Sequence, residues 1–125
     1  MVRTIAYWIA TVLVALGYFY GAYFELAQTQ EILDGAAKLG YPLFFFTILG
    51  FWKVAAGLVI LSPGLTRAKE WAYAGILINL TAAAATHIHM NDGLGDIVKP
   101  LILLGLAGAS WALRPASRRL AGPWL

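Results

Sequence analysis

The chain contains no cysteine and few charged residues, and both shortages limit what kind of protein it is. Without cysteine, disulfide bonds, thiolate metal sites and thiol redox chemistry are excluded. Charged residues make up only 12 % of the 125 residues, whereas apolar residues make up 61 %. A water-soluble domain of this size exposes a large surface and needs many more charges to cover it. The composition therefore favours a membrane protein.

The basic residues also lack the arrangement that nucleic-acid binding requires. The net charge is +3, but the lysines and arginines form no stripe with interleaved aromatic residues. They stand between apolar runs, as residues that flank membrane spans do. We expect contact with the lipid bilayer and none with nucleic acid.

Four apolar runs are each close to the ~20 residues that cross a hydrocarbon core. None alternates polar with apolar residues, so we predict helices rather than strands. Residues 25–41 place apolar side chains at helical spacing, which predicts a short amphipathic helix on the membrane surface after the first span. The predicted fold is all-α, a single antiparallel four-helix membrane bundle over residues 1–125, with spans at about 4–24, 42–62, 70–90 and 96–114.

The distribution of basic residues predicts the orientation of these spans. With four spans, both termini share one side with the loop at 62–69, and six lysines and arginines fall on that side against two on the other. Basic residues concentrate on the cytoplasmic side. We therefore predict a multi-pass protein of the cytoplasmic membrane with both termini in the cytoplasm. The six basic residues are Arg3, Arg67, Lys69, Arg114, Arg118 and Arg119.

One charge lies inside an apolar run. Lys53 is eleven residues into the second predicted span, about 16 Å from its outer end at ~1.5 Å per residue, and so near the midplane. An ionised lysine there costs roughly 2.5–3.5 kcal/mol unless it is paired or hydrated. We predict a polar pocket, open toward the outer leaflet, in which Lys53 meets a tyrosine and a partner among Glu25, Glu70 and Asn79.

The two histidines give a weaker signal. His87 and His89 are two residues apart, so on a helix they point to different faces, and we predict no metal site. His87 alone is a candidate proton-transfer group at the mouth of the pocket. Thr86 lies on the same face of the third span as Asn79 and is a candidate ligand contact.

Longer stretches of the sequence resemble a known family. KLGYPLFFFTILGFWKVAAGLVILSP, followed by KEWAYAG and then by SWALRP, is similar to the DoxX-like family of small bacterial membrane proteins. The resemblance covers almost the whole chain and implies a four-helix integral membrane fold in the bacterial inner membrane. It places the family's recurrent polar positions on Trp52, Lys53, Glu70 and His87, and it implies association with a quinone-reducing redox complex. Asn79 departs from the family pattern, which often has aspartate there.

The leading functional hypothesis is a polar intramembrane pocket that binds a lipophilic, quinone-like molecule, with the protein as an accessory to a membrane redox process. No intrinsic cofactor is predicted, so electrons would come from a bound cofactor or a partner subunit of a redox complex. The candidate ligand-binding residues are Trp52, Lys53, Asn79, Tyr18 and Thr86.

Two alternatives remain open. One is a membrane enzyme that performs acid–base chemistry on a lipophilic substrate, with Lys53, Glu25 and His87 as candidate catalytic residues. The other is a non-catalytic assembly or permeation component, built on the small-residue faces of the helices.

Overall fold

The computed structural model describes residues 1–119, and within that range it is helical, with no strand. The sequence-based prediction of an all-α chain is confirmed for these residues. The predicted domain boundary at residue 125 lies outside them. The five α-helices are α1 Val2–Ala27, α2 Gln30–Leu39, α3 Leu43–Leu61, α4 Thr66–His89 and α5 Leu94–Ala112, and a single 3-10 turn follows at Ala116–Arg118.

Three of the helices, α1, α3 and α5, are long and apolar enough to cross a membrane. The fourth long helix, α4, has 24 residues but is not among them. Its first turns carry the charged residues Arg67, Lys69 and Glu70, and polar residues such as Asn79 and His87 interrupt it further along. Length alone would let α4 span the bilayer, but its composition is less apolar than that of the other three.

Several helix ends differ from the predicted ones. α1 continues to Ala27 before Gln28 ends it in a left-handed conformation, with φ of 51°. The prediction that the amphipathic segment begins at residue 25 is therefore wrong, because Glu25 belongs to α1 and the separate surface helix starts at Gln30. Pro100 lies inside α5.

The long helices pack pairwise around one apolar core. α1 packs against α3 and α5, and α4 packs against the same two helices. Glycines let α1 and α3 approach closely, since Gly50 lies against Leu26 and Gly57 against Phe19. The core cluster consists of Val14, Ala15, Tyr18, Ile60, Tyr73, Ile76, Leu80 and Ala107.

Buried hydroxyl groups link three helices near one end of this core. Tyr7, Thr11, Tyr73 and Ser110 form a hydroxyl cluster, in which Ser110 Oγ lies 2.6 Å from Thr11 Oγ1 and 2.7 Å from Tyr73 Oη. A buried hydroxyl without a partner is costly, so each of these groups favours the arrangement that brings the others within reach. The cluster therefore fixes the relative axial positions of α1, α4 and α5.

Buried basic residues close the end of α3. Arg118 donates to the carbonyl oxygens of Ile60 at 3.1 Å and Leu61 at 3.3 Å, and Lys69 Nζ donates to those of Ser62 and Gly64. The last carbonyl groups of a helix have no partner within it, so these side chains satisfy acceptors that would otherwise be buried unpaired. Lys69 and Arg118, which the sequence analysis linked only to membrane orientation, thus also stabilise a helix end.

We predict that replacing Gly57 with alanine weakens the contact between α1 and α3. A methyl group there would come within 2.4 Å of Phe19 Cε1, and overpacking of this kind costs about 1–3 kcal/mol. Thermal unfolding in mild detergent should show a lower midpoint for Gly57→Ala. Phe19→Leu in the same chain should restore much of the loss. Gly105→Ala is the matched control, because a methyl at that position meets nothing within 4 Å, and an equal loss in both variants would contradict the prediction.

Candidate functional site

Lys53 and Glu25 form an ion pair between α3 and α1. Lys53 Nζ lies 2.8 Å from Glu25 Oε1, and the side chains are only 19 % and 4 % exposed. Glu25 is the third-last residue of α1, so the ammonium group lies level with the last turn of that helix. Of the three partners that the sequence left open for Lys53, the structure pairs it with Glu25.

Local geometry directs the lysine toward this partner. Side chains on a helix point back toward its N-terminus, so Lys53 leans toward the Leu43 end of α3, where α1 ends. Gly21 of α1 leaves room for it, since a methyl group at that position would come within 3.3 Å of Lys53 Nζ. The pairing offsets part of the cost of placing an ionised lysine among apolar helices.

A second polar pair lies beside the first. The Tyr18 hydroxyl of α1 donates to Asn79 Oδ1 of α4 at 2.8 Å, and Lys53 Nζ lies 5.8 Å from the centre of the Tyr18 ring. The phenol therefore contacts both polar residues, and its hydrogen bond holds the Asn79 side chain in one orientation.

These residues border a cleft between α3 and α4 with a volume of about 340 Å³. Its walls are mostly apolar, and its polar groups come from Tyr18, Lys53 and Asn79. Trp52 and Trp71 stand at the outside of the cleft and are 69 % and 66 % exposed. A largely apolar cleft with a few convergent polar groups has the character of a small-molecule site. The remaining lining residues are Leu49, Ala55, Ala56, Val59, Ala68, Ala72, Gly75 and Ile76.

The other candidate residues from the sequence lie elsewhere. Thr86 Oγ1 donates to the Ala82 carbonyl of its own helix at 2.8 Å, and neither Thr86 nor His87 lines the cleft. Glu70 forms an ion pair with Arg114 and accepts a hydrogen bond from Trp111 Nε1 at 3.0 Å. It therefore joins α4 to the end of α5 and does not approach Lys53.

His87 takes part in a separate polar contact that we name the loop latch. Asp92, between α4 and α5, lies 2.5 Å from Lys38 Nζ and 2.7 Å from His87 Nδ1. Two hydrogen bonds hold the pKa of Asp92 below its usual range. The bond from Lys38 contributes most, and the bond from His87 adds to it. The latch ties the amphipathic helix α2 to the loop that follows α4.

Residues 1–119 bring no three histidine, aspartate or glutamate side chains together in a way that would hold a metal ion.

Sequence reasoning missed the contribution of Trp71 to the cleft. Trp71, Gly75 and Asn79 are spaced four residues apart and share one face of α4, as Leu49, Lys53 and Ala56 share one face of α3. The predicted pocket already contained Lys53 and Asn79, and this spacing, visible in the sequence, would have added Trp71 to it.

Comparison with known proteins gives the family. The model of the DoxX-like family matches residues 9–110. The chain belongs to the DoxX-like family. The predicted resemblance is thus confirmed, and with three helices apolar enough to span a bilayer this DoxX-like protein is a membrane protein in contact with lipid. The matched segment includes the ion pair and every residue that lines the cleft. No curated protein and no solved structure matches the chain.

We predict that Lys53 and Glu25 are energetically coupled. Removing one member of a buried pair leaves the other charge without a partner and costs about 3–5 kcal/mol. Lys53→Met and Glu25→Gln should each lower the unfolding midpoint clearly, whereas the double variant should lose much less than the sum of the two. Lys38→Met is the control, because exposed pairs contribute about 1 kcal/mol or less and Lys38 is 52 % exposed. Strictly additive losses would contradict the coupling.

The loop latch should open only in acid. Because the folded pKa of Asp92 is lowered, its stabilising effect is present above the usual aspartate pKa of about 3.9 and is lost as the pH falls through the lower folded value. Spin labels can be attached through Gly35→Cys and Gly95→Cys, since both positions are open and the chain has no other cysteine.

The distance between the two labels should stay narrowly distributed from neutral pH to about pH 4 and broaden below it. Asp92→Asn should broaden the distribution at every pH, because the amide attracts Lys38 much less strongly than the carboxylate does. A narrow distribution in Asp92→Asn, or wild-type broadening that is complete above pH 5, would show that Asp92 does not hold α2 in place.

Proposed function

We propose that this DoxX-like protein binds a lipophilic, quinone-like small molecule in the cleft between α3 and α4, as an accessory to a membrane redox process. The observation that carries the proposal is the juxtaposition of two held donors, Lys53 beside Glu25 and Asn79 beside Tyr18, at an otherwise apolar cleft. Polar groups held in fixed positions in an apolar site orient a ligand that carries matching polar atoms.

The shape and the lining of the cleft support a planar ligand. A volume of about 340 Å³ is at the small end of the range of known ligand sites, roughly 300–1,000 Å³, and is sufficient for a substituted ring. Trp52 of α3 and Trp71 of α4 line the cleft and expose large aromatic faces. A planar ring gains stacking contacts against such faces, and an apolar tail extending from it would meet lipid.

The redox part of the proposal comes from the family resemblance. In this role the DoxX-like protein holds the molecule, while a bound cofactor or a partner subunit supplies the electrons. A hydrogen bond from Lys53 to a carbonyl oxygen would favour negative charge on that oxygen, and this effect is strong where water is scarce.

We also propose that α4 is a fourth span, so that the chain forms an antiparallel four-helix bundle in the cytoplasmic membrane with both termini in the cytoplasm. The 24 residues of α4 extend about 36 Å, enough to cross. Thr11 meets Ser110 and Gly17 meets Leu103, so α1 and α5 run in opposite directions. The excess of basic residues near the termini supports the orientation.

Filling the cleft tests the proposal. The protein would be purified in mild detergent and its bound lipophilic compounds extracted and identified by mass spectrometry. Gly75→Leu should lose at least about tenfold of the bound compound, which corresponds to ~1.4 kcal/mol. Gly75 lines the cleft, and a methyl group there meets nothing within 4 Å, so we expect the longer side chain to occupy space in the cleft, and an unchanged unfolding midpoint would show that the variant is folded.

Gly108→Leu is the matched control. Gly108 is likewise open and helical but lines a different groove, between α4 and α5. Equal retention by Gly75→Leu and the wild type would contradict binding in the α3–α4 cleft. Turnover of the extracted compound by the isolated protein would favour the membrane-enzyme hypothesis, and the absence of both ligand and turnover would favour an assembly component.

A further inference from the structure

The polar groups that face the cleft are mainly hydrogen-bond donors. Asn79 accepts from Tyr18 through Oδ1, which leaves its amide nitrogen with two hydrogens and no partner among residues 1–119. Lys53 carries three N–H groups, and Glu25 is its one carboxylate partner. Two donors are therefore available to a ligand.

Acceptors are scarce at the same place. Glu25 is 3 % exposed and does not line the cleft. The oxygen of Tyr18 has a lone pair, but the residue is only 4 % exposed and its hydrogen is directed to Asn79. The carbonyl groups of the flanking helices already accept bonds within their own helices, which leaves each of them only a second lone pair. A ligand hydroxyl placed between Lys53 and Asn79 would accept from them. For its own hydrogen it would find only the remaining lone pairs of Asn79 Oδ1 and Tyr18 Oη, two oxygens that already share a hydrogen bond with each other.

The ion pair also limits the charge of the ligand. Glu25 lies 2.8 Å from Lys53 and neutralises its charge, and Asn79 is uncharged. The two donors and their partners together therefore have no net charge. A neutral carbonyl oxygen meets this arrangement without being stripped of strong hydration, whereas a carboxylate would lose its water shell without a free cation in return.

From this donor excess we infer that the cleft distinguishes the redox state of its ligand, binding the oxidised carbonyl form of a quinone-like molecule more tightly than the reduced dihydroxy form. The inference rests on the proposed function and specifies which redox form that site prefers. A buried hydroxyl hydrogen that is poorly paired keeps much of its desolvation cost, while a carbonyl oxygen has no hydrogen to satisfy. A molecule reduced by a partner would therefore bind more weakly and be released more readily.

Binding of the two forms can be measured directly. The probes are a para-benzoquinone carrying a decyl chain and the corresponding hydroquinone, the latter kept reduced under anaerobic conditions. Each would be distributed between tagged nanodiscs that contain the protein and empty nanodiscs, and the bound excess quantified by mass spectrometry. We expect the wild type to bind the quinone at least about tenfold more tightly than the hydroquinone.

Variants at Asn79 show whether the donor excess is responsible. Asn79→Leu removes one donor and should reduce the preference. Asn79→Asp supplies an acceptor of nearly the same shape and should shift the preference toward the hydroquinone, and Gly108→Leu should keep the wild-type preference. Asn79→Leu removes the donor, whereas Asn79→Asp replaces it with an acceptor, so the two variants test the same group by different routes.

The outcomes separate the two proposals. Equal affinity for both probes, with both lost in Gly75→Leu, would overturn the redox selectivity and leave the proposed binding site standing. Tighter binding of the hydroquinone by the wild type would overturn it in the same way. If the wild type binds neither probe, the proposed quinone-like ligand is wrong and the selectivity falls with it.

Discussion

A charged lysine on an apolar helix needs a counter-charge within reach, and much of this fold is arranged around that requirement. Lys53 reaches Glu25 because α1 continues as a helix to Ala27 and because Gly21 has no side chain in the way. Gly50 then packs against the same last turn of α1. The close contact between α1 and α3 and the pairing of the charge therefore support each other, because the same turns of the two helices make both.

Polar contacts at the opposite end of the core fix the other helices in the same way. The hydroxyl cluster holds α1, α4 and α5 together, and Glu70 and Arg114 join α4 to the end of α5. Between these contacts and the Lys53 pair lies the apolar core cluster. In lipid, hydrophobic burial changes little when one helix slides along its axis relative to another. Polar pairs at two depths therefore define the axial alignment of the helices.

The sequence predicted the features that depend on local pattern. Three features follow from composition and helical periodicity: apolar runs of membrane length, the amphipathic character of α2 and the position of Lys53 inside an apolar run. The partner of Lys53 did not follow, because it depends on how far α1 continues past residue 24 and on which helices become neighbours. His87 was misplaced for a related reason, since only the fold brings Asp92 and Lys38 beside it.

The cleft exists because α3 and α4 meet through small side chains while the opposite face of α3 is occupied by α1. Ala55, Ala56, Ala68, Ala72 and Gly75 line it and leave space that larger residues would fill. Within that space a neutral Asn79 has a specific consequence. An aspartate there would compete with Glu25 for Lys53 and draw the ammonium group toward α4. The amide leaves the ion pair intact, so both donors remain directed at the cleft and the site stays neutral overall.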